Sequence, residues 1–561
     1  MRTAVWTARR RTIAALSATT QVGGGRRSGQ RGDGPERPPA HGRVARNTAI
    51  FSIATGLSRI AGLVREIIAA SFFGARSQYS AFTIAFQVPN LVANLFANAA
   101  LSAAFVPVFT ELLQEGRKRE AFRLASTIFW IMLAALGAIT AFFILAAHVV
   151  IPIFIGSTKN VSPGLTADLA QVLFPVVLLL GLNGLLVGIL QSYDRFSIAA
   201  LSPLVWNAVI IVLVVVLRPQ FHSNYGIYAY AIAILIATAV QMLMAAGALQ
   251  QIDFRLGFQV DWHDPRVKQV FVLMLPVTIG LGIVNLDQLI NSVFGSLVSP
   301  QAPAAINYAF RIYMLPQGMF SVAVATVLFP TLSRQASRRD AAGMRRALAI
   351  GMRQINLLLI PAAAFLMVLA TPVVRLIYGH GQFNHSAGLH PTSVALFWFA
   401  VSLPFGGLNL LLTRTFFALR RPWIPTGLAA MNIVVDIVVS VGLYKPLHIA
   451  GLVIGTALAN AVMTALQLRR LRTGFNGRLE GRQTTMITAR IAVASALMAA
   501  VAYAVWWAIQ HAIGLSLGAQ IVAVGAAAAA GGVVYMRAVL VMRIPEARQV
   551  ARLVLSRFAR A

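Results

Sequence analysis

The sequence predicts an all-α polytopic membrane protein of fourteen transmembrane helices, and three observations predict it. Of 561 residues, 58% are hydrophobic and only 11% charged, with a mean hydropathy of +0.74; a soluble chain would carry about 25% charged residues. Apolar runs of about 20 residues, enough to cross a hydrocarbon core of about 30 Å as helix, recur along nearly the whole chain. The Lys and Arg residues between these runs fall almost entirely on alternate connections. The composition excludes an ordinary soluble enzyme. The absence of cysteine excludes a disulfide scaffold or a thiolate metal centre.

The spans follow in order along the chain. A basic tail over 1–46 precedes helix 1 (48–73), and Arg76 separates it from helix 2 (81–109). Four cations, Arg117 to Arg119 and Arg123, precede helix 3 (125–151); Lys159 precedes helix 4 (166–190). Arg195 leads into helix 5 (198–217) and Arg218 into helix 6 (224–248). Arg255, Arg266 and Lys268 lead into helix 7 (270–298), and a cation-free gap follows before helix 8 (304–331). Six arginines from Arg334 to Arg353 lead into helix 9 (351–378), and a second cation-free gap precedes helix 10 (392–418). Arg420 and Arg421 precede helix 11 (425–443), and Lys445 precedes helix 12 (448–468). Six cations from Arg469 to Arg490 precede helix 13 (488–508); helix 14 (515–536) is followed by six more from Arg537.

Counted this way, one side of the membrane holds 38 Lys and Arg and the other four. One missed or invented helix would scramble that division. The positive-inside bias therefore predicts that both termini are cytoplasmic. The net charge of +31 becomes a topology signal and an attraction to anionic headgroups, and no nucleic-acid partner is expected. Residues 1–46 are rich in Arg, Gly and Pro, which predicts a disordered cytoplasmic tail. They lack the continuous apolar stretch of a signal peptide.

Charged residues left inside the spans are functional candidates, because each costs roughly 2.5–3.5 kcal/mol at mid-bilayer. The cations are Arg59, Arg65, Arg311, Arg375 and Arg414; the deep acids are Glu66, Asp287 and Asp436. Arg375 and Arg414 lie near helix ends and can snorkel. At about 1.5 Å per residue, Arg65 and Arg311 fall at comparable depths on helices 1 and 8. Asp436 on helix 11 and Thr456 on helix 12 share a second level. Arg59 and Glu66 are seven apart and lie on one helix face, as do Asn432 and Asp436, four apart. Arg65 lies about 120° from Arg59, so both reach one cavity only if helix 1 bends, as Gly56 and Gly62 permit, or the cavity is wide.

Two chemical groups result. Arg59, Arg65 and Arg311 present guanidinium forks suited to phosphate oxygens; the alternative is internal pairing of Arg65 with Glu66 or Arg311 with Asp287. Asp287, Asn432, Asp436 and Thr456 present hard oxygen donors suited to a small cation; the alternative is an interhelical hydrogen-bond network or a protonated carboxyl. Asn285, Gln288 and Asn291 add polarity to helix 7 that can simply join helices.

Helices 2 and 8 repeat a pattern: Ala-Phe, a mid-helix proline (Pro89, Pro316), small residues, then a terminal proline (Pro107, Pro330). The offset is six helices, an even number, so the two copies have the same orientation and are related by an axis along the membrane normal. This predicts an N-lobe over 47–250 and a C-lobe over 251–471 around a central cavity, followed by two extra helices over 472–537 and a basic cytoplasmic tail over 538–561.

Several segments carry a family resemblance. GLSRIAGLVREIIAASFFGA (56–75), the AF…VPNL…LFA…AFVPVF pattern (85–109), INYAFRIYMLPQGMFSVAVATVLFPTLSR (306–334) and TRTFFALRRPWIPT (413–426) resemble the MurJ (MviN) lipid II flippase family of the MOP exporter superfamily. The resemblance implies a V-shaped pair of lobes and alternating access. The cargo would be lipid II, carried from the cytoplasmic to the outer leaflet of the bacterial plasma membrane, with its polyprenyl tail in a groove at helices 13 and 14. It implies that Arg59, Arg65 and Arg311 contact the pyrophosphate, with Glu66 where the family usually has Asp. It also implies a sodium site at Asp287, Asn432, Asp436 and Thr456, with no cofactor beyond that coupling ion. Membrane lipids and other cell-wall synthesis proteins are the expected partners. Ser80, Phe310 and Met314 stand where the family often has acids, and Ala93 and Asn94 where it has an arginine. No catalytic constellation is present in the sequence, so an enzyme is not expected; the alternatives are an exporter of another polyprenyl-linked glycan and a transport-inactive envelope scaffold.

Overall fold

A computed structural model of the chain describes residues 40–547 apart from 97–98, 156–159, 194, 222–224, 253, 259 and 476–479. Every regular element among them is helical. The described residues from Ile50 onward pack as one compact unit. The first spans are α1 (Ala40–Phe73), α2 (Ser77–Phe96) with α3 (Ala99–Gln114), α4 (Lys118–Ile155), α5 (Pro163–Leu173) with α6 (Pro175–Ser192), α7 (Phe196–Leu217) and α8 (Gly226–Leu249). The next are α9 (Pro265–Val298), α10 (Ala302–Pro316) with α11 (Val322–Ser337), α12 (Ala341–Val368) with α13 (Ala370–Tyr378), α14 (Leu389–Ala418), α15 (Trp423–Leu447) and α16 (Ile449–Gly474). The chain closes with α17 (Gly481–Ile513) and α18 (Leu517–Val541). Among the described residues, eleven helices are long and apolar enough to cross a membrane. Those outside this count are α1, the α2–α3 pair and α9. Two of them hold Arg59, Arg65, Glu66 and Asp287.

Proline stands at each of the three breaks that fall on described residues. Pro175 opens α6 directly after Phe174, where its missing N–H ends the α5 ladder. Pro316 closes α10, and a π-helical turn over Gln317–Ser321 links it to α11, a local widening that kinks the span. The third break, at Leu369, divides the expected single helix 9 into α12 and α13; Pro372, in the first turn of α13, has no N–H to give the Val368 carbonyl at the end of α12. Two boundaries also differ from expectation. Helix 1 begins at Ala40, within the stretch expected to be a tail; residues 1–39 and 548–561 of the expected tails lie outside the described residues. The expected connection at 444–447 is helical. Only His448, at φ 51, separates α15 from α16.

Helices that follow one another pack as antiparallel pairs: α7 on α8, α15 on α16, α17 on α18. Helix α9 runs against α2, α3 and α15, so it joins the first six spans to the later ones. The last pair docks through α17 onto α12. That docking carries its own small apolar core of Leu357, Ile487, Ile491, Ala494, Val539 and Ile544. Beside it lies an ion network absent from the sequence reading, which placed Arg353 in a loop. Arg353 is 6% exposed and pairs through Nε with Glu546 at 2.8 Å and through a terminal nitrogen with Glu480 at 3.6 Å. Asn356 adds a hydrogen bond to Thr488, and the Tyr535 hydroxyl donates to the Leu357 carbonyl at 2.6 Å.

Removing one member of a buried pair costs about 3–5 kcal/mol, because its partner stays buried without compensation. Arg353→Ala should therefore lower the thermal unfolding midpoint in detergent clearly. The double variant Arg353→Met with Glu546→Leu should recover most of that loss. A single variant as stable as the parent would show that the network does not fasten the last helix pair.

Candidate functional site

At the end predicted to be external, the two halves of the chain meet in stacked rings and in hydrogen bonds of which all but the one from Arg76 are neutral. Ser80 on α2 is fully buried; its hydroxyl donates to the Pro300 carbonyl at 2.6 Å and accepts from Ala304 N at 3.3 Å. Tyr79 stacks on Tyr308 with ring centroids 4.8 Å apart, and Tyr308 donates to the Gly74 carbonyl at 3.1 Å. Tyr378 in turn donates to the Tyr308 carbonyl at 3.2 Å. Gly74 adopts φ +63, and a Cβ there would stand 2.8 Å from the Gln382 carbonyl oxygen. Glycine thus supplies both the turn and the close approach of the 379–388 loop. Ser386 Oγ accepts from Ala75 N at 3.0 Å, and Arg76 donates to Gln382 at 2.7 Å.

Below this roof lies the charged centre. Helix α1 carries Arg65 and Glu66 side by side, 8% and 2% exposed. Their side chains form an ion pair at 2.5 Å. Glu66 is shared: its Oε1 is also 3.4 Å from Arg311 Nε on α10, and its Oε2 accepts from the Tyr79 hydroxyl at 3.1 Å. The Arg65 guanidinium lies over the Trp206 ring of α7, 4.9 Å from its centroid, a cation–π contact. A cavity of about 160 Å³ opens here, lined by Arg65, Glu66, Trp206, Gln288, Asn307 and Arg311 among others. The Arg311 side chain is 41% exposed, so part of its fork faces open space. One carboxylate answers two guanidiniums, and the centre keeps a net positive charge.

The second group is a buried oxygen cluster between α9, α15 and α16. Asp436 is fully buried; its carboxylate accepts from Thr456 at 3.3 Å, Ser440 at 3.4 Å and Asn291 at 3.4 Å. Asn291 also donates to Thr456 at 3.1 Å. Asp287 stands one turn before Asn291 on α9, so Asn291 links it to Asp436: its amide donates to the Asp287 carbonyl at 3.1 Å and to the Asp436 carboxylate at 3.4 Å. Gly455 lets the helices close, since a Cβ there would sit 2.7 Å from Asp436 Oδ1. Carboxyl oxygens shielded from water on neighbouring helices favour a proton or a cation beside them. Asp287 Oδ1 and Asn291 Oδ1 are buried with no hydrogen-bond partner. That surplus of acceptors fits a small hard cation.

Of the expected substrate-site residues, Arg65, Glu66 and Arg311 converge. The structure corrects the alternative pairing of Arg311 with Asp287: Arg311 reaches Glu66. Arg59 does not join them. It is exposed on α1, with its guanidinium against Gly318 in the π turn. Of the expected cation ligands, Asp287, Asp436 and Thr456 come together. The Asn432 amide nitrogen, one turn away, is buried without a hydrogen-bond partner. Arg414 bonds Thr326 at 3.0 Å, tying α14 to α11. The sequence reading missed Tyr79, Trp206 and Asn291 as site members. Asn291 stands one turn from Asp287 on the same face of α9 and was legible by that spacing; the aromatic partners gave no such signal.

Comparison with known proteins gives one consistent answer. The family model described as "Lipid II flippase MurJ" matches residues 69–523. A probable lipid II flippase MurJ of Treponema pallidum is 26% identical over 424 residues, covering 74% of this chain and 79% of that protein. One from Rhizobium tropici is 30% identical over 432 residues, covering 74% and 78%. Among solved structures, a lipid II flippase MurJ in an inward closed conformation aligns with a TM-score of 0.74 at 22% identity, over 88% of this chain and 98% of that one. An inward-facing MATE-family transporter of the MOP superfamily aligns at 0.66 and 17% identity, over 75% and 94%. These likenesses place the chain in the MOP-type fold.

The chain has no cysteine, so a single one introduced at Thr83, on the cavity wall, reports access cleanly. Ser80→Ala removes two hydrogen bonds that join the halves, each worth about 1 kcal/mol. Thiol labelling from the outer side should then run several-fold faster than with Ser80 intact. An unchanged rate would mean that Ser80 does not hold this end shut.

Proposed function

The chain belongs to the MurJ lipid II flippase family, and from that membership we propose that it carries lipid II from the inner to the outer leaflet of a bacterial plasma membrane by alternating access. We assign it fourteen passes with both termini cytoplasmic. The lobes over 47–250 and 251–471 rock about the central cavity, and α17 and α18 offer the groove for the polyprenyl tail. The observation that carries the reading is the ratio of guanidinium to carboxylate around Glu66. A pyrophosphate brings the missing negative charge, and its oxygens match the free N–H groups of Arg311 and the planar fork of Arg65.

The same geometry supplies a coupling. Glu66 joins α1 to α10 through Arg311, so it helps to hold the external end closed. A phosphate oxygen that takes Arg311 weakens that hold. A ligand shifts a conformational balance only by binding one state better, and competition for one guanidinium provides such a difference. Sodium at Asp287, Asp436, Asn291 and Thr456 would neutralise both carboxyls and brace α9 against α15 and α16. We infer that it acts as the coupling ion.

Cells depleted of their own lipid II flippase should grow when they express this chain and fail when Arg65→Ala or Arg311→Ala replaces it at equal abundance. Growth that survives both losses would overturn the transport reading and favour a scaffold. For the ion, sodium should raise the thermal unfolding midpoint of the purified protein, and Asp436→Asn should abolish that rise. A parent protein indifferent to sodium against potassium would remove the sodium proposal while leaving the lipid cargo standing.

A further inference from the structure

We propose that a cationic pocket remote in sequence from the central site holds the phosphodiester headgroup of an anionic phospholipid. It lies where the ends of α11, α14 and α16 meet the start of α15, and its volume is about 990 Å³. Arg339, Arg420, Arg421 and Arg470 line it, with Phe475 and Ile424 supplying apolar wall. It shares no lining residue with the cavity at Arg65. Its assignment to the cytoplasmic leaflet rests on the topology proposed above; the headgroup chemistry does not.

Cytoplasmic arginines are common for topological reasons alone, so their number is not the argument. Their placement is. Four guanidiniums from three separate segments face one concavity, and no ion pair joins any of them to a carboxylate among the described residues. Two of them stand in a conformation that arginine seldom adopts. Arg339 and Arg420 have φ of 55° and 56°, the left-handed region where glycine or asparagine is less strained. Each sits just past a helix end closed by paired reverse bonds: Arg339 N to Ala336 O with Asp340 N to Gln335 O, and Arg420 N to Phe417 O with Arg421 N to Phe416 O. Arg543 closes α18 in the same conformation away from this pocket, so the turn alone calls for no ligand. The convergence of four forks without a carboxylate does, and a phosphate group accepts from several forks at once.

The surroundings select a lipid over a soluble anion. Phe417 and Trp423 flank the pocket and are 48% and 63% exposed. Exposed aromatic rings at the ends of membrane helices mark headgroup level. A pocket at that depth with a mixed polar and apolar wall receives a phosphate from the leaflet beside it, as basic pockets between membrane helices do.

The test uses the purified full chain in phosphatidylcholine nanodiscs with increasing phosphatidylglycerol, reading lipid retained per protein by native mass spectrometry. The double variant Arg420→Ala with Arg470→Ala should bind phosphatidylglycerol about tenfold more weakly. Arg420→Lys with Arg470→Lys should recover part of the loss, and an unchanged unfolding midpoint would show that the alanine variant is folded. Lys118→Ala with Arg119→Ala, which removes two exposed cations elsewhere on the same face, should stay near the parent value. Arg65→Ala should also bind like the parent, which separates this site from the cargo site. Equal losses in both alanine doubles would reduce the effect to diffuse surface charge and overturn the proposal. Displacement of the lipid by inorganic phosphate alone would overturn the lipid assignment in favour of a soluble anion.

Discussion

Glu66 is the carboxylate on which two arginines from opposite halves of the chain depend. Inside a membrane protein an unpaired charge is expensive, and the attraction that offsets it grows as water leaves. At an effective dielectric of about 20, opposite charges about 4 Å apart attract by about 4 kcal/mol. Arg65 and Glu66 are adjacent on α1, so their pairing is local. Arg311 comes from α10, more than two hundred residues later. Its reach to Glu66 requires the external ends of both halves to converge, and the surrounding contacts follow from that requirement. Tyr79 satisfies the second carboxylate oxygen, Tyr308 stacks on Tyr79, and Tyr378 anchors Tyr308. Ser80 and Gly74 then fill the last gaps at the closed end.

The polar groups inside the spans separate into closed networks and open ones, and the distinction bears on function. Asn409, Asn460 and Thr464 bond one another. These donors are spent on neighbours, and such bonds between α14 and α16 are helix glue. Arg353 likewise has two carboxylates. The other kind keeps unused capacity: the half-exposed fork of Arg311 beside a shared carboxylate, and the unpartnered oxygens of Asp287 and Asn291. A protein that spends folding energy to bury polar groups without satisfying them leaves room for a ligand. The two open groups differ in sign, one cationic and one rich in acceptors, as the proposed cargo and the proposed coupling ion would require.

Much of this was legible in the sequence because membrane insertion imposes coarse, one-dimensional rules. Hydrophobic runs and alternating arginines gave the helical order, and the depth count matched Arg65 with Arg311 and Asp436 with Thr456. What escaped depends on azimuth and on breaks. Arg59 was grouped with Arg65 by charge, yet six residues of helix turn it toward Gly318 instead. Arg353 was read as a loop cation because its acids, Glu480 and Glu546, are distant in sequence and lie outside the spans. The split of α12 from α13 carries a proline signal in Pro372, as Pro175 and Pro316 mark the other breaks, yet the expectation ran one helix over 351–378. Trp206 looked like one more apolar residue on α7; only the fold sets its ring under a guanidinium.

The residues standing where relatives often carry acids sharpen the role of Glu66. Ser80 closes the external end with neutral hydrogen bonds, and Phe310 packs on Phe399 with ring centroids 5.6 Å apart. Neither contact responds to an arriving negative charge. Among the described residues, Glu66 with Arg311 is the one ion pair that joins α1 to α10. An anionic headgroup entering the cavity therefore meets a closed end held mostly by bonds indifferent to it and by one bond that it can replace. In the transport proposed for this chain, the sensitivity of the closed end to cargo narrows to the Arg311 guanidinium changing partners, from a carboxylate that belongs to the fold to a phosphate that does not.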